Sequence, residues 1–239
     1  MTPHERLEQS FWDFFYLPDD VTVVDRPELL ALQSKRPVDY LNAVYRTRAA
    51  STRISELIDE VAELHKRVES RWHVANTVAT SALEAQLSTR GYQSTHAHDA
   101  RVIAVDSFRA KAMGEVVVRR IVDETGLRDA WKVAEEAFGT SRKYSDDDAV
   151  FELAQCAGDA AKVQRYVAYL GDEPICSGGM SCFPTLGFAL FWAGGTVPHA
   201  RGRGAYSAVV AERVRRAAQR NIPFVGLYAR EDSSSPIVG

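Results

Sequence analysis

The sequence has little of what would place it at a glance. Its three cysteines, Cys156, Cys176 and Cys182, show neither a disulfide framework nor zinc-ligand spacing, so they read as small buried apolar residues. No uninterrupted apolar stretch approaches the ~18 residues that a membrane span needs. The N-terminus, MTPHERLEQSFWDFF, has no basic region followed by an apolar run, and so does not read as a signal peptide. There is no G-x-x-x-x-G-K-S/T, which excludes a P-loop NTPase. Net charge is −3, leaving no global basic field to hold nucleic acid. The expectation is a cytoplasmic protein that binds neither nucleic acid nor membrane.

What is present is ordinary for a globular protein: 239 residues, 46% hydrophobic and 26% charged. That is ample for one large core or two domains of roughly 100–120 residues. Positive charge is concentrated locally. Six arginines fall between Arg201 and Arg220, against the single Glu212.

Apolar periodicity lays out the elements. Pro3 to Tyr16 reads as a short amphipathic helix that Thr2 can cap. Residues 21–25 and 40–48 alternate like strands, Ile54 to Val68 keeps a helical period, and Trp72–Val78 is a strand candidate. Ser81 with Glu84 forms a capping box for a helix that Gly91 closes. Residues 100–108 read as a strand, and the periodicity then lapses near Arg109–Glu115. A second round opens with strand Val116–Val122. Leu127, Trp131, Ala134 and Phe138 mark a helix ending at Gly139, and Ser145 with Asp146–Asp148 opens another. VQRYVAYL, PICSGGMSC and GFALFWAGGTV are three successive strands. A glycine-arginine loop, a helix, the strand Pro223–Ala229 and a Ser-rich tail follow.

The two halves share element order. Helix, strand and capped helix start at 54, 72 and 81, and again near 205, 223 and Ser234, which suggests a duplicated unit. The second copy stops soon after its last cap, so its C-terminal end reads as truncated. An exposed sheet edge there would invite pairing, making a homodimer a reasonable expectation.

The chemistry concentrates in Gly194 to Arg220. An apolar strand ends in a proline, two glycines alternate with arginines in Arg201–Tyr206 (RGRGAY), and a helix begins. Gly202 and Gly204 allow a tight turn and close backbone approach. Free amides and the positive end of the helix dipole make an anion site, and Arg201 and Arg203 would add charge at its rim. The helix is expected to bury Tyr206, Val210, Val214 and Ala217 and to turn Arg213, Arg216 and Arg220 outward. GRGAYS is close to a dinucleotide fingerprint, but Pro-His-Ala-Arg separates the strand from the first glycine, whereas that fold turns at once.

V-P-H-A-R-G-R-G-A-Y before an amphipathic helix resembles the acetyl-CoA-binding motif of the GNAT superfamily of N-acetyltransferases, Arg/Gln-x-x-Gly-x-Gly/Ala after the fourth strand. Arg201 and Gly204 fill its first and fourth positions, and Tyr206 departs from the usual Gly or Ala. The order strand, two helices and three antiparallel strands from Val116 to Val197 also matches. The first half is similar to the degenerate N-terminal domain of tandem GNAT proteins, since its loop from Arg48 to Ile54 has no glycine.

The resemblance implies an α/β (α+β) fold of two GNAT-like domains, 1–112 without cofactor and 113–239 with it, each a mixed, mostly antiparallel sheet flanked by helices. It implies acetyl-CoA as co-substrate. The pantetheine arm would run beside Gly195, Thr196 and Val197, with the pyrophosphate on amides from Arg201, Gly202, Arg203, Gly204, Ala205 and Tyr206. The implied activity is transfer of acetyl to a primary amine of a small molecule or amino acid, with no metal. The alternative is a non-catalytic acyl-CoA-binding or sensory module, because no acid or base is evident. FALFWAGGTV has no carboxylate. Tyr228 and Glu231 are within reach but unassigned, and His199 reads as a solvated loop residue.

Overall fold

The computed structural model describes all residues except 15–16, 67, 76–80, 111–114, 142–143, 157 and 232–239. The helices are α1 (Pro3–Phe11), α2 (Ile54–Leu64), α3 (Ser81–Thr89), α4 (Glu124–Phe138), α5 (Asp146–Cys156) and α6 (Ala205–Gln219). The strands are β1 (Thr22–Arg26), β2 (Leu29–Gln33), β3 (Ala43–Thr47), β4 (Arg71–Trp72), β5 (His98–Ala104), β6 (Val116–Arg120), β7 (Val163–Leu170), β8 (Glu173–Phe183), β9 (Phe188–Thr196) and β10 (Phe224–Arg230). Contacts group them into two compact units, Phe11–Ala97 and Met1–Ser10 with His98–Gly239. No helix among the described residues is long and apolar enough to cross a membrane.

In the unit Phe11–Ala97 the sheet order is β1-β2-β3-β4. β1, β2 and β3 form an antiparallel meander, and β4 runs parallel to β3 across the crossover helix α2. The period expected over 54–68 appears as Ile54, Leu57, Ile58 and Val61, all buried. The helix closes at Leu64 because His65 leaves the helical register and turns inward. β2 was not anticipated: LLALQ has its first four residues buried, so it shows no alternation from which a strand could be read. Of the strand expected over 72–78, only Trp72 lies in a strand and 73–75 do not; residues 76–78, the Ser234 cap and the Ser81 side chain lie outside the described residues.

His65 gives this unit a pH dependence. Its ring is buried, Nε2–H donates to the Leu32 carbonyl at 2.7 Å, and Nδ1 lies 2.8 Å from the Ser70 hydroxyl. Burial pushes its pKa below the ordinary 6.5, against the opposing pull of the Leu32 bond. The fold therefore favours neutral His65. Its contribution is complete above about pH 6.5 and is lost as pH falls and the unfolded chain takes up the proton, at up to about 1.4 kcal/mol per pH unit. Urea melts at pH 7.5 and pH 5.5 should show a drop that His65→Gln reduces.

The other unit is a six-stranded sheet in the order β5-β10-β9-β8-β7-β6. β6 through β9 are antiparallel neighbours, and β10 joins β9 in parallel across the crossover helix α6. Both units thus end an antiparallel meander with a parallel pair joined by a helix. α4 is capped by Asp123, which accepts from the Gly126 amide at 2.8 Å, and stops at Gly139 with φ 64°. The expected start of α5 is a capping box: Ser145 and Asp148 each accept from the other's backbone N–H, at 3.2 and 2.8 Å.

β5 lies antiparallel to β10, His98 opposite Arg230 through Ala104 opposite Phe224. The residues read as the last strand of the first half therefore pair into the second sheet, and contacts divide the chain at Ala97/His98 where the sequence suggested about 112. The edge of β10 away from β9 is covered by this strand.

Candidate active site at the end of the parallel pair

β9 and β10 pair only over Phe188–Leu190 and Phe224–Gly226. From Phe191 onward β9 diverges, so its backbone facing β10 has no partner strand among the described residues. The break coincides with a bulge. Trp192 sits opposite Gly179 and Gly195 opposite Ser177, so Ala193 and Gly194 together face Gly178. Ala193 takes φ 48°, the left-handed conformation found at one type of bulge.

Three glycines let neighbours close around the bulge. A Cβ on Gly194 would lie 2.7 Å from the Tyr206 ring of α6, and one on Gly195 2.8 Å from the Phe138 ring of α4. On β8, a Cβ on Gly179 would stand 2.4 Å from the ring of Trp192, whose indole N–H donates to the Ser181 hydroxyl at 2.9 Å.

The loop after β9 makes one short 3-10 turn, with the Ala200 and Arg201 amides donating to Val197 and Pro198 carbonyls. Gly202 and Gly204 then take φ 79° and 80°. The first bond of α6 runs from the Ala208 amide to the Gly204 carbonyl. Among the described residues, the N–H groups of residues 202–207 donate to no protein acceptor, and no side chain caps the helix. Consecutive free amides at a helix N-terminus suit an anion.

The expected ligand residues divide accordingly. Gly202, Arg203, Gly204, Ala205 and Tyr206 contribute free amides. The Arg201 amide is engaged, and its exposed side chain reaches toward the Thr196 carbonyl at 3.4 Å. Gly195 and Thr196 lie on the diverging stretch of β9. Val197 is buried, its N–H donating to Ile175 and its carbonyl accepting from Ala200, so its backbone is already in use. His199 lies between Glu173 (2.9 Å) and Glu136 (3.2 Å) at the loop's outer side.

The arginine face of α6 differs from expectation. Arg216 bonds the Asp159 carbonyl and Gln164, and Arg220 the carbonyls of Ala160 and Ala161, so both grip the segment leading into β7. Arg213 is turned inward: only 1% of it is exposed. A spacing rule that treats arginine as solvent-facing could not find it. The signal was the pair Gly178–Gly179, which leaves room in β8 for a large group on the facing helix.

Among the described residues, the carboxylate whose charge reaches Tyr228 of β10 is Glu8 of α1. Burial holds the Tyr228 phenol well above its usual range, so it stays protonated. Glu231 is exposed past the end of β10, and no group of histidine, cysteine and acidic residues among the described ones could hold a metal.

Neither a family model nor a curated protein matches the chain. Solved structures do. A GCN5-related N-acetyltransferase from Kribbella flavida superposes with a TM-score of 0.64 at 10% identity, over 87% of this chain and 79% of that one. A functionally unknown conserved protein from Staphylococcus epidermidis gives 0.63 at 15%, over 95% and 91%. A GCN5-related N-acetyltransferase from Sphaerobacter thermophilus gives 0.57 at 17%, over 91% and 70%. Together with the order of strands and the parallel pair that parts at a bulge, these likenesses establish that the chain has the fold of the GCN5-related N-acetyltransferases.

Proposed function

We propose that the protein is an acetyl-CoA-dependent N-acetyltransferase acting on a primary amine of a small molecule or an amino acid. The observation that carries this reading is the junction of two features: a strand pair that parts at a bulge, and a run of free amides at the N-terminus of α6. A pyrophosphate fits the amides of residues 202–206, with Arg201 and Arg203 at the rim. An extended amide-bearing arm fits the unpaired edge of β9 near Gly195 and Thr196. The thioester supplies the activated acyl group. The chain's part is to hold it beside the bulge, where unpaired strand N–H groups can stabilise charge that develops on a carbonyl oxygen.

Removal of the amine proton has no assigned residue. Tyr228 is a donor by virtue of its retained proton, and solvent or Glu231 is left to accept. This supports a second reading, a non-catalytic acyl-CoA-binding or sensory module. Calorimetry with acetyl-CoA, followed by thiol release with a panel of amines, separates the two. Binding with turnover supports the enzyme, and tight binding without turnover on any amine supports the module. No binding at micromolar acetyl-CoA would sink both.

A further inference from the structure

The guanidinium of Arg213 is buried without a counter-charge and with one of its nitrogens unsatisfied. Nη1 donates to the Gly179 carbonyl at 3.0 Å and Nε to the Val209 carbonyl of its own helix at 3.3 Å. Nη2 has no hydrogen-bond partner among the described residues. The groups nearby that favour its charge are the Tyr206 phenol, by its charge and by a long side-chain hydrogen bond, then the Cys176 thiol and the Tyr166 phenol, with no carboxylate among them. Its neighbours on α6 differ: Arg215 pairs with Glu212 and Arg216 with Asp159.

Burial lowers the pKa of Arg213, yet an arginine stays protonated in proteins. A desolvated cation with an open N–H2 is costly, and carbonyls and a ring face offset only part of that cost. The sequence makes room for it all the same. A Cβ on Gly178 would stand 3.2 Å from Nη1, so glycine there admits the guanidinium.

Its position ties it to the parted strands. Gly178 faces the bulge and Gly179, opposite Trp192, stands beside it. The guanidinium carbon lies 4.4 Å from the ring centre of Phe191, the first β9 residue beyond the stretch paired with β10. Along α6 it stands eight residues past Ala205, about 12 Å of helix rise from the free amides. A ligand with its phosphates on those amides and its arm along β9 would therefore bring its far end toward Arg213.

We propose that Arg213 is the receptor for a carboxylate carried by the substrate, either on the transferred acyl group or on the amine acceptor. This rests on the acyl-CoA reading above for its geometry. A carboxylate supplies the missing acceptor and the missing counter-charge together, in the pairing that a guanidinium favours most. A plain acetyl group with an uncharged amine would leave Nη2 unmatched.

The test uses the full chain as wild type, Arg213→Lys and Arg213→Met. Calorimetry compares acetyl-CoA with succinyl-CoA, and turnover compares amino acids with the corresponding decarboxylated amines. Wild type should prefer the carboxylated member of one pair by at least about tenfold, a difference of about 1.4 kcal/mol. Arg213→Met should abolish that preference and Arg213→Lys retain part of it. Preference in the donor pair places the carboxylate on the acyl group, and preference in the acceptor pair places it on the amine. Equal use of both members in both pairs, or a preference that survives Arg213→Met, overturns the proposal.

Should Arg213→Met not fold, Gly178→Ala crowds the guanidinium while keeping its charge and should weaken the preference several-fold; an unchanged preference overturns the proposal. A protein that binds no CoA thioester at all refutes the acyl-CoA reading separately. In that event succinate, against chloride at matched ionic strength, should still raise the melting midpoint of wild type and not of the variant. Absence of that rise removes the Arg213 site as well.

Discussion

Gly204→Val should lower the affinity for acetyl-CoA at least about 100-fold, equivalent to about 2.7 kcal/mol, while the protein remains folded. Gly204 precedes α6 with φ 80° and ψ 1°, a region that an L-residue enters at a cost of roughly 1–2 kcal/mol and a β-branched one enters less readily still. Valine would force the loop to rotate, and with it the free amides of residues 202–207. The helix itself should persist, because Ala205, Ala208, Val209, Val214 and Ala217 remain buried beneath it. Calorimetry beside a thermal melt checks both halves of the statement. Gly158→Val is the control: Gly158 also has φ 80°, with open space around its Cβ position, so it should cost stability and leave affinity unchanged. Unaltered binding by Gly204→Val would show that the anion site has been misplaced.

Gly226→Ala should produce the largest loss of stability, about 3 kcal/mol, at the upper end of what overpacking usually costs. Gly226 is the last β10 residue paired with β9 and is also paired with Val102 of β5. A methyl there would lie 2.7 Å from the Arg101 carbonyl oxygen and 2.8 Å from Phe188. The first is backbone held in a strand ladder and the second a fully buried ring, so neither can yield cheaply. The melting midpoint should fall by on the order of 8 °C. A shift of only a degree or two would mean that β5 does not hold β10 as described.

Much of the second unit was legible because its signals are local. Apolar runs separated by turn residues gave β6 through β10, Gly139 closed α4, and Ser145 with Asp146–Asp148 opened α5. RGRGAY was recognisable as an anion loop because positive φ at two spaced glycines and an uncapped helix start follow from neighbouring residues alone. The first unit was less so: β2 is buried throughout its first four residues and carries no period, and α2 ends a turn before its apolar pattern does.

Pairing between distant segments was not legible. Nothing within residues 98–104 says that they lie beside residues 224–230, since a strand's partner is chosen by whichever edge remains uncovered. Nor does the spacing of Arg213 reveal that it points inward. Amphipathic periodicity assigns charge to solvent, and only the space left by Gly178 on a strand 35 residues earlier reverses the assignment. The sequence alone determined the kind of elements, their order and the loop that can cradle an anion. The tertiary structure decided what closes the sheet beside β10, where β9 and β10 part, and that a lone guanidinium lies beneath the parting, because each of these depends on contacts between residues far apart in the chain.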